Sequence, residues 1–216
     1  MGKTVAVAIA AATLLIVAML AMKLVSSPGG TPSGQDMARA QALASPHAPT
    51  LGPAEAKVHI VEFLDPACET CAVFYPHVKK LMAEHPGRIR LSVRHVALHK
   101  NADQAVRMLE AARAQGRYFE ALEALLANQG RWVENHRVVA DRIPSALAAA
   151  GLDPERLRID MEAAPVAQRM QGDMADARLL AVTRTPEYFV NGRQMPEFGI
   201  EQLRNLVLAE LDRAYR

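Results

Sequence analysis

Val58-His59-Ile60-Val61-Glu62-Phe63-Leu64-Asp65-Pro66-Ala67-Cys68-Glu69-Thr70-Cys71 is the stretch that decides the reading of this chain. Its first seven residues place apolar side chains on both faces, the pattern of a strand covered on both sides. Asp65-Pro66 breaks that strand. From Cys68 onward Phe74, Val78, Leu81 and Met82 recur at helical spacing until His85-Pro86-Gly87 stops the helix. Cys68 and Cys71, the only two cysteines in 216 residues, therefore fall in the first turn of a helix that follows a buried strand.

Two thiols in that position suit disulfide exchange, which needs a thiolate, a second thiol in reach and room for a foreign chain. The unpaired amides and positive end of the dipole at the helix start stabilise the anion of the first sulfur, and the turn carries the second inward. Cys68 is then the nucleophile and Cys71 the resolving thiol. A purely structural bridge is the weaker reading, because so short a loop restrains the unfolded chain little. Glu62 is an ionisable group in an apolar strand, which is costly without a partner or a task. It either exchanges protons with Cys71 or is a structural or edge-exposed acid.

Outward from this stretch, Pro76 should bend the helix. Ile89, Leu91 and Val93 alternate with Arg88, Arg90, Ser92 and Arg94, the period of a half-buried strand, so strand, helix and strand form a parallel crossover. An Ala-rich region from about Asn101 to Leu180, broken by Gly116, Gly130, Pro144, Gly151 and Pro165, predicts four or five helices. Thr185 to Arg193 returns to strand chemistry, with Asn191-Gly192 marking a tight hairpin. A cis bond at Thr185-Pro186 would present an open backbone edge to a substrate. Ile200, Leu203, Leu206, Val207 and Leu211 predict a closing amphipathic helix.

Thr4 to Met22 is an uncharged apolar run between Lys3 and Lys23, about the length needed to cross a bilayer. Its length and the lack of a clean cleavage site favour a retained transmembrane anchor over a removed signal, and either would export the domain to an oxidising compartment. Residues 26–54, with Ser-Ser-Pro-Gly-Gly and Ser-Pro-His-Ala-Pro, suggest a flexible linker, leaving 55–216 as the folded domain. A formal charge of +2 from 25 basic and 23 acidic residues gives no concentrated basic stripe, which argues against nucleic acid as a partner. Zinc held by the dithiol with His95 and His99 lacks a second Cys pair, so no metal or cofactor is expected.

The segment Phe63 to Cys71, followed far downstream by Val182-Thr183-Arg184-Thr185-Pro186-Glu187-Tyr188-Phe189-Val190-Asn191-Gly192, resembles the DsbA-like branch of the thioredoxin superfamily over roughly Lys57 to the C-terminus. That resemblance implies an α/β thioredoxin fold with a helical insertion at about 100–180. It also implies a thiol:disulfide oxidoreductase acting on cysteine-containing exported proteins and recycled by a membrane or soluble redox partner. Under it Cys68 is the surface nucleophile, Cys71 its buried partner, Glu62 the buried acid, Pro76 the helix kink, Pro186 the cis-proline and Thr185 the residue whose backbone meets substrate. Strongly oxidising members carry His where this chain has Thr70. With acidic Glu69 beside Cys68, the thiolate should be disfavoured and the protein a weaker oxidant. The expectation is a monomeric, membrane-tethered exchanger facing the extracytoplasmic (periplasmic) side. The rival is a non-catalytic thioredoxin-like module holding a protein partner or a soft metal such as copper.

Overall fold

Strand β2 (Val58–Leu64) is buried along almost its whole length and lies at the centre of a five-stranded sheet of order β1-β3-β2-β6-β7. This computed structural model describes residues 33–216. The expected span Thr4–Met22 lies outside them, and among the described residues no helix is long and apolar enough to cross a membrane. The chain divides into two compact units, Met1–Met37, of which residues 33–37 are described, and Ala38–Arg216.

After helix α1 (Gly34–Leu43), β1 (Thr50–Leu51) pairs antiparallel with β3 (Ile89–His95). Part of the segment expected to be a flexible linker is thus regular structure. Ser33 shows why locally, since its hydroxyl accepts from the Asp36 N–H at 3.1 Å while Asp36 accepts from the Ser33 N–H at 3.1 Å, a reciprocal cap. Helix α2 (Glu69–Glu84) connects β2 to β3, which pair in parallel from Val58 opposite Ile89 to Leu64 opposite His95, as expected for a crossover. Pro76 sits inside α2, and Cys71, Phe74, Tyr75, Val78 and Leu81 form its buried face.

β3 corrects the expectation of a half-buried strand, because Ser92, Arg94 and His95 are buried as well. Its polar side is covered by α8 (Ala164–Leu179), and the cost of enclosing the fully buried Arg94 is met by partners. Its guanidinium donates to Asp173 at 2.6 Å, to Asp176 at 2.5 Å and to the Ala42 carbonyl at 2.7 Å, while the His95 N–H donates to Asp173 at 2.8 Å. Alternating Arg and Ser side chains read as solvent-facing when such acids lie eighty residues away.

Between β3 and β6 run α3 (Ala102–Ala114), α4 (Tyr118–Ala127), the short α5 (Gln129–Trp132), a two-stranded hairpin of β4 (Val133–Glu134) and β5 (Arg137–Val138), the short α6 (Ile143–Ala146), α7 (Pro154–Asp160) and α8. The hairpin was not anticipated, its strands being two residues each. β6 (Glu187–Val190) pairs antiparallel with β2 and turns through Asn191 and Gly192, at φ 47° and 81°, into β7 (Arg193–Gln194). Two successive positive φ values are what a type I′ hairpin asks of its central pair. Helix α9 (Ile200–Tyr215) closes the chain and buries Leu203, Leu206, Val207 and Leu211. One apolar core joins α2, α9, much of the helical region and the Ile60 and Leu64 face of the sheet; a smaller one joins Val61, Phe63 and Phe189 to Ala177 and Leu180.

Candidate active site

Cys68 occupies the N-cap of α2 in extended conformation, φ −78° and ψ 118°, with Cys71 one turn further on. Both are free thiols and they approach to 3.5 Å. Cys71 is wholly buried. Cys68 is only 6% exposed, so a nucleophile expected to face water openly instead presents one narrow side. The cover is the loop before β6: the Thr185–Pro186 peptide is cis, and the Thr185 carbonyl accepts from the Cys68 thiol at 3.3 Å.

The two sulfurs are driven in opposite directions. The Cys71 thiol hydrogen bond lowers Cys68 to about 5 against burial, helped by the Thr185 side chain and by the backbone N–H groups of Cys71 and Thr70. Burial pushes Cys71 well above the ordinary thiol range, and the hydrogen bond to Cys68 and the charges of Glu62 and Cys68 add to it. Glu69 is not among the groups that move Cys68 most. Its carboxylate lies 3.2 Å from His136 Nδ1. Thr70 contributes through its main chain.

Glu62 lies on the Ile60 and Leu64 face of β2 by the period of two, and β6 brings Tyr188 opposite it. The Tyr188 hydroxyl donates to Glu62 Oε1 at 2.8 Å, while Oε2 has no partner. Burial raises its carboxyl to about 8. It is therefore no edge-exposed acid. Phe74 and Phe198 stack in series with Tyr188, ring centroids 5.9 and 5.0 Å apart, leaving Phe198 41% exposed.

Three participants escaped the sequence reading. Asp65, read only as a strand breaker, is fully buried and accepts from the N–H of Ala67 at 2.8 Å, of Leu98 at 2.7 Å and of His99 at 2.8 Å, and from His99 Nδ1 at 2.9 Å. It thereby fixes the loop after β3 against the loop before Cys68. Gln129 donates to the carbonyls of Pro66 at 2.7 Å and Cys68 at 2.9 Å, tying the helical region to the same loop. His136, at the hairpin tip, reaches Glu69. An acid directly after a buried strand and before Pro was the one available signal for Asp65; nothing in local pattern marks the other two. His95, considered with His99 for zinc, has its Nε2 at 2.7 Å from the buried Tyr118 hydroxyl and does not converge on the sulfurs.

The thioredoxin family profile matches residues 44–208. A solved thioredoxin-like oxidoreductase from Silicibacter pomeroyi DSS-3 is 32% identical, with 81% of this chain and 96% of that one covered and a TM-score of 0.68. BdbD from Bacillus subtilis shares 21% identity over 76% of this chain and 93% of its own at TM-score 0.67, and α-DsbA1 from Wolbachia pipientis 17% over 82% and 97% at 0.70; these two speak to the fold. Among curated proteins, a Na(+)/H(+) antiporter NhaA from Herminiimonas arsenicoxydans is 31% identical over 67% of this chain but only 22% of its own length. The chain spans between a fifth and a quarter of the length of the curated relatives it matches first.

Proposed function

Since this chain belongs to the DsbA-like branch of the thioredoxin superfamily, we propose that it exchanges disulfides with cysteine-containing exported proteins through Cys68 and Cys71. The observation that carries this reading is the pair of free sulfurs 3.5 Å apart at the mouth of α2, Cys68 against the cis Thr185–Pro186 peptide and Cys71 sealed behind it. In the oxidising direction a substrate thiolate attacks Cys68 of the internal disulfide, a new intermolecular S–S bond forms, and Cys71 leaves with the bonding electron pair. A leaving thiolate in so apolar a place requires a proton, and Glu62, still protonated at neutral pH, is the donor. A second substrate thiolate then attacks the substrate sulfur, closing the substrate disulfide and releasing Cys68 as thiolate. Reduction runs the same steps backward.

Thr185 and Pro186 present backbone to the incoming chain beside Cys68, and Phe198 offers an apolar contact nearby. The domain works on the extracytoplasmic side, held by the Thr4–Met22 segment, as a monomer recycled by a separate redox partner. Transport, the activity named for the antiporter relatives, is not carried to a chain spanning so little of their length. A lowered Cys68 stabilises the reduced form and so makes the couple oxidising. At about 5 it lies between about 7 in thioredoxin and about 3.5 in DsbA. Equilibration with glutathione redox buffers should therefore give a potential between about −270 and −120 mV, a weaker oxidant than the strongest members. Failure to equilibrate with glutathione or a model dithiol would remove the proposed activity.

A further inference from the structure

Beside the dithiol, but not used by it, Glu69, His99 and His136 bring one ligand atom each to within 4.8 Å of one another. They come from three separate places: the first turn of α2, the loop after β3 and the tip of the β4–β5 hairpin. We propose that these three residues form a site for a borderline divalent transition-metal ion, represented by Zn2+, bridging α2 to the hairpin of the helical region. This goes beyond thiol exchange and departs from the expectation that the chain binds no metal.

Four observations support the site. Two imidazoles and a carboxylate suit zinc and its neighbours, whereas calcium and magnesium take oxygen. His99 is already oriented, because its Nδ1 lies 2.9 Å from the fully buried Asp65, leaving Nε2 as the ring nitrogen that does not face that carboxylate. A carboxylate behind a ligating histidine is the arrangement that fixes tautomer and ring direction in zinc proteins. Spacing fits for one pair: bonds of about 2.0–2.2 Å in a tetrahedral shell put neighbouring ligand atoms about 3.3–3.6 Å apart. Glu69 and His136 stand at 3.2 Å, and their side chains, 59% and 76% exposed, can shift to complete the shell with His99. The remaining positions are open to water. At the tip, Asn135 and His136 hold φ of 50° and 57°, in the left-handed region, and the His136 ring meets Glu69 of α2.

The test is calorimetric titration of the full chain with Zn2+ in its disulfide form, so that neither sulfur can serve as a thiolate ligand. One-to-one saturable binding is expected, weakened at least about ten-fold in each of Glu69→Gln and His136→Asn and unchanged in His77→Ala, which alters an exposed histidine outside the cluster. Asn is chosen because it tolerates the left-handed backbone. No saturable binding, or affinity in the Glu69 and His136 variants equal to that of the unaltered chain, would overturn the site while leaving disulfide exchange as a separate matter.

Discussion

A Cys68→Ser variant loses disulfide exchange by at least about 10³-fold, because a covalent step without its nucleophile has no bond to make. Cys71→Ser differs in kind. Its Cys68 still attacks a disulfide, but no neighbour resolves the product, so a mixed disulfide with a model peptide accumulates and is visible as an intact-mass adduct. The asymmetry follows from the geometry: Cys71 is sealed in the core and its thiol is held well above the ordinary range, whereas Cys68 is lowered at the helix mouth. Equal adduct formation by the two single variants would mean that the roles are misassigned.

Glu62→Gln is expected to stabilise the reduced protein at alkaline pH while slowing exchange. The carboxyl titrates at about 8 in the fold against an ordinary 4.5, and that gap corresponds to about 5 kcal/mol at about 1.36 kcal/mol per unit. Below pH 4.5 both folded and unfolded chains carry it neutral and no penalty arises. As pH rises from there to 8 the unfolded chain gains a charge that the native chain resists, so stability falls. Above 8 the penalty is complete. Gln is isosteric and places its amide where Oε2 already lacks a partner, so the two proteins should match at pH 4 within about 1–2 kcal/mol. Unfolding free energies from urea titration should diverge in favour of Gln by several kcal/mol at pH 9. Exchange should fall by about 10²-fold with loss of the proton donor. Parallel stability profiles for the two proteins would contradict an acid held neutral by burial.

Much of this was legible in the chain because its signals are local. An apolar strand, a Pro break and two cysteines at helical offset need no distant partner to be read, and Asn191-Gly192 names its own turn. Glu62 stood out for the same reason, as a charge among apolar neighbours. What local pattern cannot carry is a partner from far along the chain. Arg94 looked solvent-facing because Asp173 and Asp176 reach it only once α8 has packed on β3. Glu69 looked like a negative neighbour for Cys68, yet the β4–β5 hairpin delivers His136 to it, and the hydrogen bond from Cys71 is what chiefly lowers the sulfur. Gln129, which braces the loop before Cys68, acts through backbone contacts that leave no compositional trace, and Asp65 left only its place after a buried strand and before Pro.

The account depends most on Cys68 being a thiolate near neutral pH, and the rate of its alkylation by iodoacetamide as a function of pH measures that directly. With the reduced chain in EDTA, the rate should rise with a midpoint near pH 5 and one modification per chain, Cys71 staying unreacted. A midpoint near about 8.5, that of an ordinary thiol, would contradict the poised nucleophile and the exchange mechanism built on it.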